Sequence, residues 1–329
     1  MDTLTGLLEG PRARGAFLLT SVLAPPWSLR IEDRAPVSVV TPARGTAWML
    51  PDHGTPVLLH PGDVAVVRGP DPYTLADRPG TPVQITVGPD QRCSTAGGED
   101  VTETRALGVR TWGDASGPDA AVLLSGTYRT PSAVGRRLLA TMPALLVRPA
   151  SGHDALVTML AEEIGREEPA QGLVLDRLLD LLLIDVVRAW LATPGAGAPA
   201  WYGAQSDPLV GPALRLLHEH PAHPWTVASL AARVGTSRAG LARRFTALTG
   251  EPPMAYLTAW RMARAADLLH EPGATVASVA RQVGYGSAFA LSAAFKRIHG
   301  VSPREYREGG GDAPPCPAPV TATPRTVVL

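Results

Sequence analysis

The segment TVASLAARVG at 226–235 recurs as TVASVARQVG at 275–284, with seven of ten positions identical. The register then slips by one residue and the match continues at an offset of fifty. Ser237 pairs with Ser287, Leu241 with Leu291 and Phe245 with Phe295. Further on, Gly250 pairs with Gly300, Pro253 with Pro303 and Tyr256 with Tyr306. Such an internal duplication means one supersecondary unit built twice. It restricts the last third of the chain to folds made of two like parts.

Each copy predicts the same local structure. Thr226 and Thr275 cap a short helix through their hydroxyls. Leu230 and Val234 share one face of it, as do Val279 and Val283. Gly235 and Gly284 end that helix, where a left-handed backbone costs glycine little. Ser237 and Ser287 cap a second helix that turns Leu241 and Phe245, or Leu291 and Phe295, inward. Ala231 and Ala280 are small enough to let the two helices cross closely. Short helix, glycine turn, second helix: this predicts a helix-turn-helix. Between the copies, PPMAYLTAWRMARAADLLHE opens on prolines and predicts a helix of about 17 residues, roughly 25 Å long. A rod of that length holds two reading heads near one DNA turn apart, about 34 Å.

Charge points the same way. The formal net charge is zero, but residues 208–308 carry twelve Arg and Lys against six Asp and Glu. The remainder carries eighteen against twenty-four. The cationic surplus sits with the repeat, as a polyanionic partner requires. On the second helix of the first copy, Leu241, Phe245 and Leu248 face the core, and Ala239, Ala242, Arg243 and Thr246 face outward. Arg243 is the candidate for a base contact, bidentate to guanine; the alanines can only touch thymine methyls. Arg238 and Arg244 belong at the edge, on phosphate or in a surface pair. The matching helix of the second copy turns out Ala288, Phe289, Ala290 and Ala293, none of which offers a side-chain hydrogen bond. There Ser287, Ser292, Lys296 and Arg297 can meet the backbone. Specificity is therefore expected from the first head, with Ser237 at its edge, and electrostatic affinity from the second.

Residues 17–130 read differently. Short bursts such as SLRIEDR, APVSVV, PVLLHPGDVAVVRG and AVLLSGTY predict strands, and Gly and Pro, 66 of 329 residues, punctuate the chain. A sandwich or small barrel follows. Helical periodicity takes over near 132, in 132–141, 152–166 and 173–191. The last, LVLDRLLDLLLIDVVRAWL, holds five ionisable groups, which argues against a membrane span. Its apolar surface is too large for a solvated helix, so it is expected to pack on the barrel or on its copy in a second subunit. ATPGAGAPAWYGAQSD at 192–207 reads as a linker, and the Gly- and Pro-rich 309–329 as a disordered tail. Two cysteines, Cys93 and Cys316, make no disulfide framework, and the N-terminal residues show no signal peptide, so a reducing cytoplasmic setting is expected. His218, His220 and His223 read as ordinary cations near a helix end rather than a metal site.

The residues LAARVGTSRAGLARRFTALTGEPPMAYLTAWRMARAADLL and VASVARQVGYGSAFALSAAFKRIHGVSPREY resemble the AraC family of transcriptional regulators. The resemblance implies two helix-turn-helix subdomains joined by a long helix. It implies promoter binding, RNA polymerase as a further partner if the protein activates, and a bacterial, nucleoid-associated location. Family positions matching Ala239, Ala242 and Arg243 lie in the DNA groove, and many members place an arginine where Ala293 stands here. PGDVAVVRG, ARGTAWML, RALGVRTW and AVLLSGTYR resemble the cupin-type sensor arm of an AraC subgroup. That likeness implies an effector pocket, for which Val40, Trp48 and Tyr73 are the candidates. Val40, and Tyr73 or Pro72, stand where the subgroup has histidines, so a barrel without metal or other cofactor is expected. Ser125 stands where some members carry a cysteine.

The expected fold is multidomain α+β. A cupin-like β-barrel with flanking helices spans 1–191, and a linker spans 192–207. An all-α tandem helix-turn-helix domain spans 208–308, followed by the tail at 309–329. The expected function is a sequence-specific regulator that binds double-stranded DNA, responds to a small-molecule effector and dimerises through 173–191, with no membrane partner and no enzymatic activity. Two other readings fit the same residues: a cupin enzyme tethered to DNA, and a constitutive regulator whose barrel only dimerises.

Overall fold

The computed structural model describes residues 16–114, 117–128, 133–150, 155–308 and 326–329. Among these, one compact unit holds 16–128, 142–197 and 326–329, and a second holds 133–141 and 198–308.

The first unit is built from strands β1 (Phe17–Leu23), β2 (Ser28–Ile31), β3 (Val37–Arg44), β4 (Ala47–Pro51), β5 (Val57–Leu59), β6 (Val64–Arg68) and β7 (Tyr73–Ala76). They are followed by β8 (Ile85–Val87), β9 (Cys93–Thr95), β10 (Ala106–Gly108), β11 (Thr111–Gly113), β12 (Ala121–Tyr128), β13 (Leu145–Arg148) and β14 (Thr326–Val328). One sheet has the order β10-β11-β1-β12-β3-β6-β13-β14, and the other β5-β4-β7-β2-β8-β9. Val40, Leu123 and Leu145 from the first meet Leu29, Met49, Tyr73, Leu75 and Ile85 from the second in a single buried cluster. The apolar runs of β3 and β6 are buried almost end to end, which is why they read as continuous rather than alternating. The Pro61-Gly62-Asp63 turn before β6 is fixed by Asp63, whose carboxylate accepts from the backbone N–H of His60 (2.8 Å) and of Ala150 (2.7 Å). Gly62 takes φ +87° there, a conformation other residues rarely adopt.

The expected helices appear as α1 (Ala133–Leu139), α2 (Ala155–Ile164) and α3 (Gln171–Ala192). α3 packs on the barrel. A Cβ at Gly126 on β12 would lie 2.6 Å from Leu179 Cδ1, so glycine is what lets the helix approach. Its three carboxylates all bond within the same unit. Asp176 accepts from the N–H of Ala16 (3.1 Å), Asp180 accepts from the Tyr128 hydroxyl (3.2 Å), and Asp185 pairs with Arg148 (2.7 Å). Leu173, Val174 and Leu181 remain exposed on its outer side.

The tail differs from its expectation. Thr326–Val328 forms β14 and pairs in parallel with β13, Leu145 opposite Thr326 and Val147 opposite Val328. The strand forms because TVV is β-branched throughout and meets the open edge of β13. The rest of the expected disordered tail, 309–325, lies outside the described residues.

The second unit contains α1 together with α4 (Ala200–Ala204), α5 (Val210–Glu219), α6 (Val227–Arg233), α7 (Arg238–Thr249), α8 (Pro253–Leu268), α9 (Val276–Gln282), α10 (Ala288–His299) and α11 (Pro303–Glu308). The expected linker therefore carries a short helix, α4, whose Ala204 is buried in the first subdomain core. α1 is held by α8: the N–H groups of Ala133 (2.5 Å) and Val134 (3.2 Å) donate to the Asp267 carboxylate. Among the described residues no helix is long and apolar enough to cross a membrane.

Candidate nucleic-acid interface

The two sequence copies fold into two helical pairs, α6–α7 and α9–α10. Thr226 accepts from the N–H of Ser229 (3.0 Å), and Ser229 accepts from the N–H of Thr226 (2.9 Å), a reciprocal cap. Thr275 and Ser278 repeat it at 3.1 and 3.0 Å. Ser237 accepts from the N–H of Gly240, and Ser287 from that of Ala290, both at 3.1 Å. The capping hydroxyls are thus satisfied locally and start α7 and α10 at equivalent places. Gly250 (φ +83°) and Gly300 (φ +78°) stop the two helices one turn past equivalent core residues.

Two cores sit under these pairs. Leu230, Ala231, Leu241 and Phe245 pack with Leu214, Leu217, Tyr256 and Leu257. Val279, Ala280, Val283, Leu291 and Phe295 pack with Trp260, Ala263, Ala266 and Tyr306. α8 supplies its first half to one core and its second half to the other, so this 16-residue helix, about 24 Å long, is the rod between them. Arg261 on that rod adds a clamp that the sequence reading missed. Its guanidinium donates to the carbonyls of Pro221 (2.7 Å) and His223 (2.8 Å) and lies over the Tyr285 ring at 5.9 Å. It therefore ties the loop before the first head to the turn of the second. That loop also abuts Gly284, where a Cβ would meet the backbone of Ala222 at 2.7 Å.

The residues expected on the outer faces are accessible. On α7, Ser237, Arg238, Ala239 and Arg243 are exposed, and Ala242 and Thr246 are half-buried. On α10, Ser287, Phe289, Ala290, Ala293, Lys296 and Arg297 are exposed, and Ser292 is half-buried. Arg244 is engaged in a surface pair: its guanidinium donates to Asp207 at 2.7 and 2.6 Å. Asp207 also accepts from the N–H groups of Leu209 and Val210, so it caps α5 and fastens it to α7. Held by Arg244 and these two N–H groups, its carboxyl is pulled down to about 2.

His218 differs from its expectation, whereas His220 and His223 are exposed just past the end of α5. His218 is buried, with Nε2 2.7 Å from the Tyr256 hydroxyl and its ring stacked 4.0 Å from Trp260. It is a core residue, placed there by the amphipathic face of α5, while the His223 ring lies tilted against Trp225, centroids 4.3 Å apart. Among the described residues no three His, Cys, Asp or Glu side chains gather as a metal group would require.

Of the effector-pocket candidates, Val40 and Tyr73 lie in the packed barrel core, while Trp48 is half-buried on β4, on the face opposite Met49. A cavity of about 350 Å³ opens elsewhere on this unit, lined by Asp33, Arg34, Gln91, Thr127 and Tyr128 among others. Arg34 (φ 55°) and Gln91 (φ 59°) both take left-handed backbone at its rim. Cys93 is buried, and burial with Asp100 nearby pushes its thiol up to about 11, far from a reactive thiolate.

Comparison with known proteins gives this geometry a context. A cupin family model matches residues 2–192, and a helix-turn-helix domain model matches residues 230–309. The chain is 33% identical to an AraC-like transcription regulator of Streptomyces lividans over 94% of this chain and 98% of that protein. It is 31% identical to another from Streptomyces antibioticus over 94% of this chain and 99% of that one. Among solved structures it is similar to the DNA-binding domain of AdpA in complex with a target DNA, at 38% identity, covering 32% of this chain and 93% of that one, with a TM-score of 0.30. With a cupin domain first, a duplicated helix-turn-helix after it and full-length similarity to such regulators, the chain belongs to the AraC-like, DNA-binding transcription regulators.

Proposed function

We propose that the protein reads its promoter chiefly through Arg243 and responds to a small-molecule effector held by the barrel. The observation that carries the first part is the outer face of α7. Arg243 is exposed between the small side chains of Ala239 and Ala242, and among the described residues no hydrogen bond or ion pair engages it. Its neighbour Arg244 is spent on Asp207. Arg243 is thus the long donor free to enter a major groove and bond guanine O6 and N7, with Arg238 and Thr246 flanking it and the Ser237 cap at the helix start. On α10, Lys296 and Arg297 contact phosphates beside Ser287 and Ala290, and Ala293 contributes no donor.

Replacing Arg243 with Ala tests this. Discrimination between the true site and scrambled duplex should fall about 10- to 100-fold, the worth of one bidentate base contact. Equal loss on both duplexes would make Arg243 a phosphate contact instead.

The barrel acts as sensor and dimeriser rather than as an enzyme. Leu173, Val174 and Leu181 form the apolar strip on α3 that a second copy would cover. An effector enters either between Val40 and Tyr73, by displacing core side chains, or at the cavity rimmed by Arg34 and Gln91. A metabolite that raises the melting temperature of the full chain supports the sensor. If no metabolite does so while the protein still binds DNA as a dimer, the barrel only dimerises. The regulator acts on chromosomal DNA in the bacterial cytoplasm, with RNA polymerase as its further partner where it activates.

A further inference from the structure

Phe289 is the most exposed large apolar side chain among the described residues, at 85%. It is the second residue of α10, immediately after the Ser287 cap. The N-terminal residues of a recognition helix are the ones that reach base edges. Leu291 and Phe295, fully buried, define the inward face, so Phe289 and Ala293, four residues apart, share the outward one. By the fifty-residue offset Phe289 matches Ala239, and Ala293 matches Arg243. Each head thus carries one large outward residue beside a small one, with the order exchanged: small then arginine on α7, phenylalanine then small on α10. Lys296 lies one further turn along the same face and Arg297 beside it, both exposed, and they suit a polyanion toward the C-terminal end of the helix.

We propose that Phe289 is the base-reading side chain of the second head and packs on the C5-methyl group of thymine in the major groove. Its ring can neither donate nor accept a hydrogen bond, and the thymine methyl is the apolar feature that the major groove displays. This rests on α10 entering the groove as α7 does. The second head is then a reader of a base edge rather than a phosphate grip alone.

The test uses the full chain and a duplex selected from random sequence for tight binding. The selected second half-site should contain thymine. Replacing that thymine by deoxyuridine, which removes only the methyl, should weaken the native protein about fourfold, the worth of one buried methyl group. Phe289→Ala should bind the thymine duplex about fourfold or more weakly, with an unchanged melting temperature, and should no longer tell thymine from deoxyuridine. Phe289→Leu should keep part of the discrimination. The proposal is overturned by a second half-site without thymine, or by a Phe289→Ala protein that still prefers thymine as the native chain does. It is equally overturned if Phe289→Ala binds DNA normally and fails only in transcription, which would make the ring a protein contact. Arg243→Ala on the same duplex reports on the first head separately, so failure at Phe289 and failure of the Arg243 reading are told apart.

Discussion

The two helical pairs share a scaffold and differ in what they present. Both begin on a reciprocal Thr–Ser cap, turn through a left-handed glycine, restart on a serine cap and stop at a second glycine. Both bury a leucine and a phenylalanine four residues apart. Outside that frame they part. α7 presents Arg243 and anchors Arg244 to Asp207, whereas α10 has Ala293 and the buried Ala294 at those places and presents Phe289 instead. The frame constrains caps, turns and inward positions, because those decide whether a pair folds. The outward positions are free to diverge, because they cost the fold nothing.

The sharpest way to break the comparison is at the turns. Gly235 (φ +72°) faces open space, whereas Gly284 (φ +82°) faces the backbone of Ala222. Gly235→Ala should cost about 1–2 kcal/mol, the strain of a left-handed alanine. Gly284→Ala adds overpacking against backbone that cannot swing aside, and should cost about 3 kcal/mol or more. Urea unfolding of the two full-length variants measures the difference, and equal losses would show that the Ala222 loop yields.

A smaller effect sharpens the contrast of the reading faces. Ala293→Arg gives α10 the donor that α7 has, and should change affinity at the second half-site about tenfold or turn its preference toward guanine. Unchanged affinity and preference in a binding titration would mean that α10 does not present position 293 to bases.

The smallest expected effect concerns Asp207, which has no counterpart in the second pair. Its carboxyl is held at about 2, below the ordinary 3.8. A carboxyl with a lowered folded pKa stabilises the fold above its unfolded pKa and loses that contribution as pH falls through the folded one. Asp207→Asn should therefore cost about 1 kcal/mol at neutral pH, from a weakened cap and a lost surface pair. The gap to the native chain should close as pH falls from about 4 toward 2. A gap that stays constant across that window in chemical unfolding would mean that the carboxylate's charge is not what holds α5 to α7.

Much of the DNA-binding unit is legible in sequence because its determinants are local. A threonine three residues before a serine, a glycine after seven helical residues, and a leucine four before a phenylalanine each act within one or two turns of chain. The long helix of the barrel is legible for the same reason, as a run of apolar residues at helical spacing. The Arg261 clamp, Asp207 on Arg244, Asp267 on α1 and Gly126 under Leu179 are not, since they join residues from 37 to 134 positions apart. Nothing local marks the long-range partners: Arg261 reads as one more arginine in a basic region and Asp267 as one more surface acid, and although Arg244 reads as a residue for phosphate or a surface pair, nothing points to Asp207 as its partner. The strand Thr326–Val328 was hidden likewise, because TVV after a Gly- and Pro-rich stretch becomes a strand only where β13 offers an edge.

By itself the sequence determined that two like helical pairs exist, where each starts and stops, and which side chains face in, because helix periodicity and capping act over a few residues. Only the tertiary structure decided how the pairs are clamped to one another, that Arg244 is tied to Asp207 while Arg243 stays exposed beside it, and how far the outward Phe289 stands clear of its surroundings at the head of α10. Burial and pairing depend on what the rest of the folded chain brings alongside, and no short stretch of sequence carries that information.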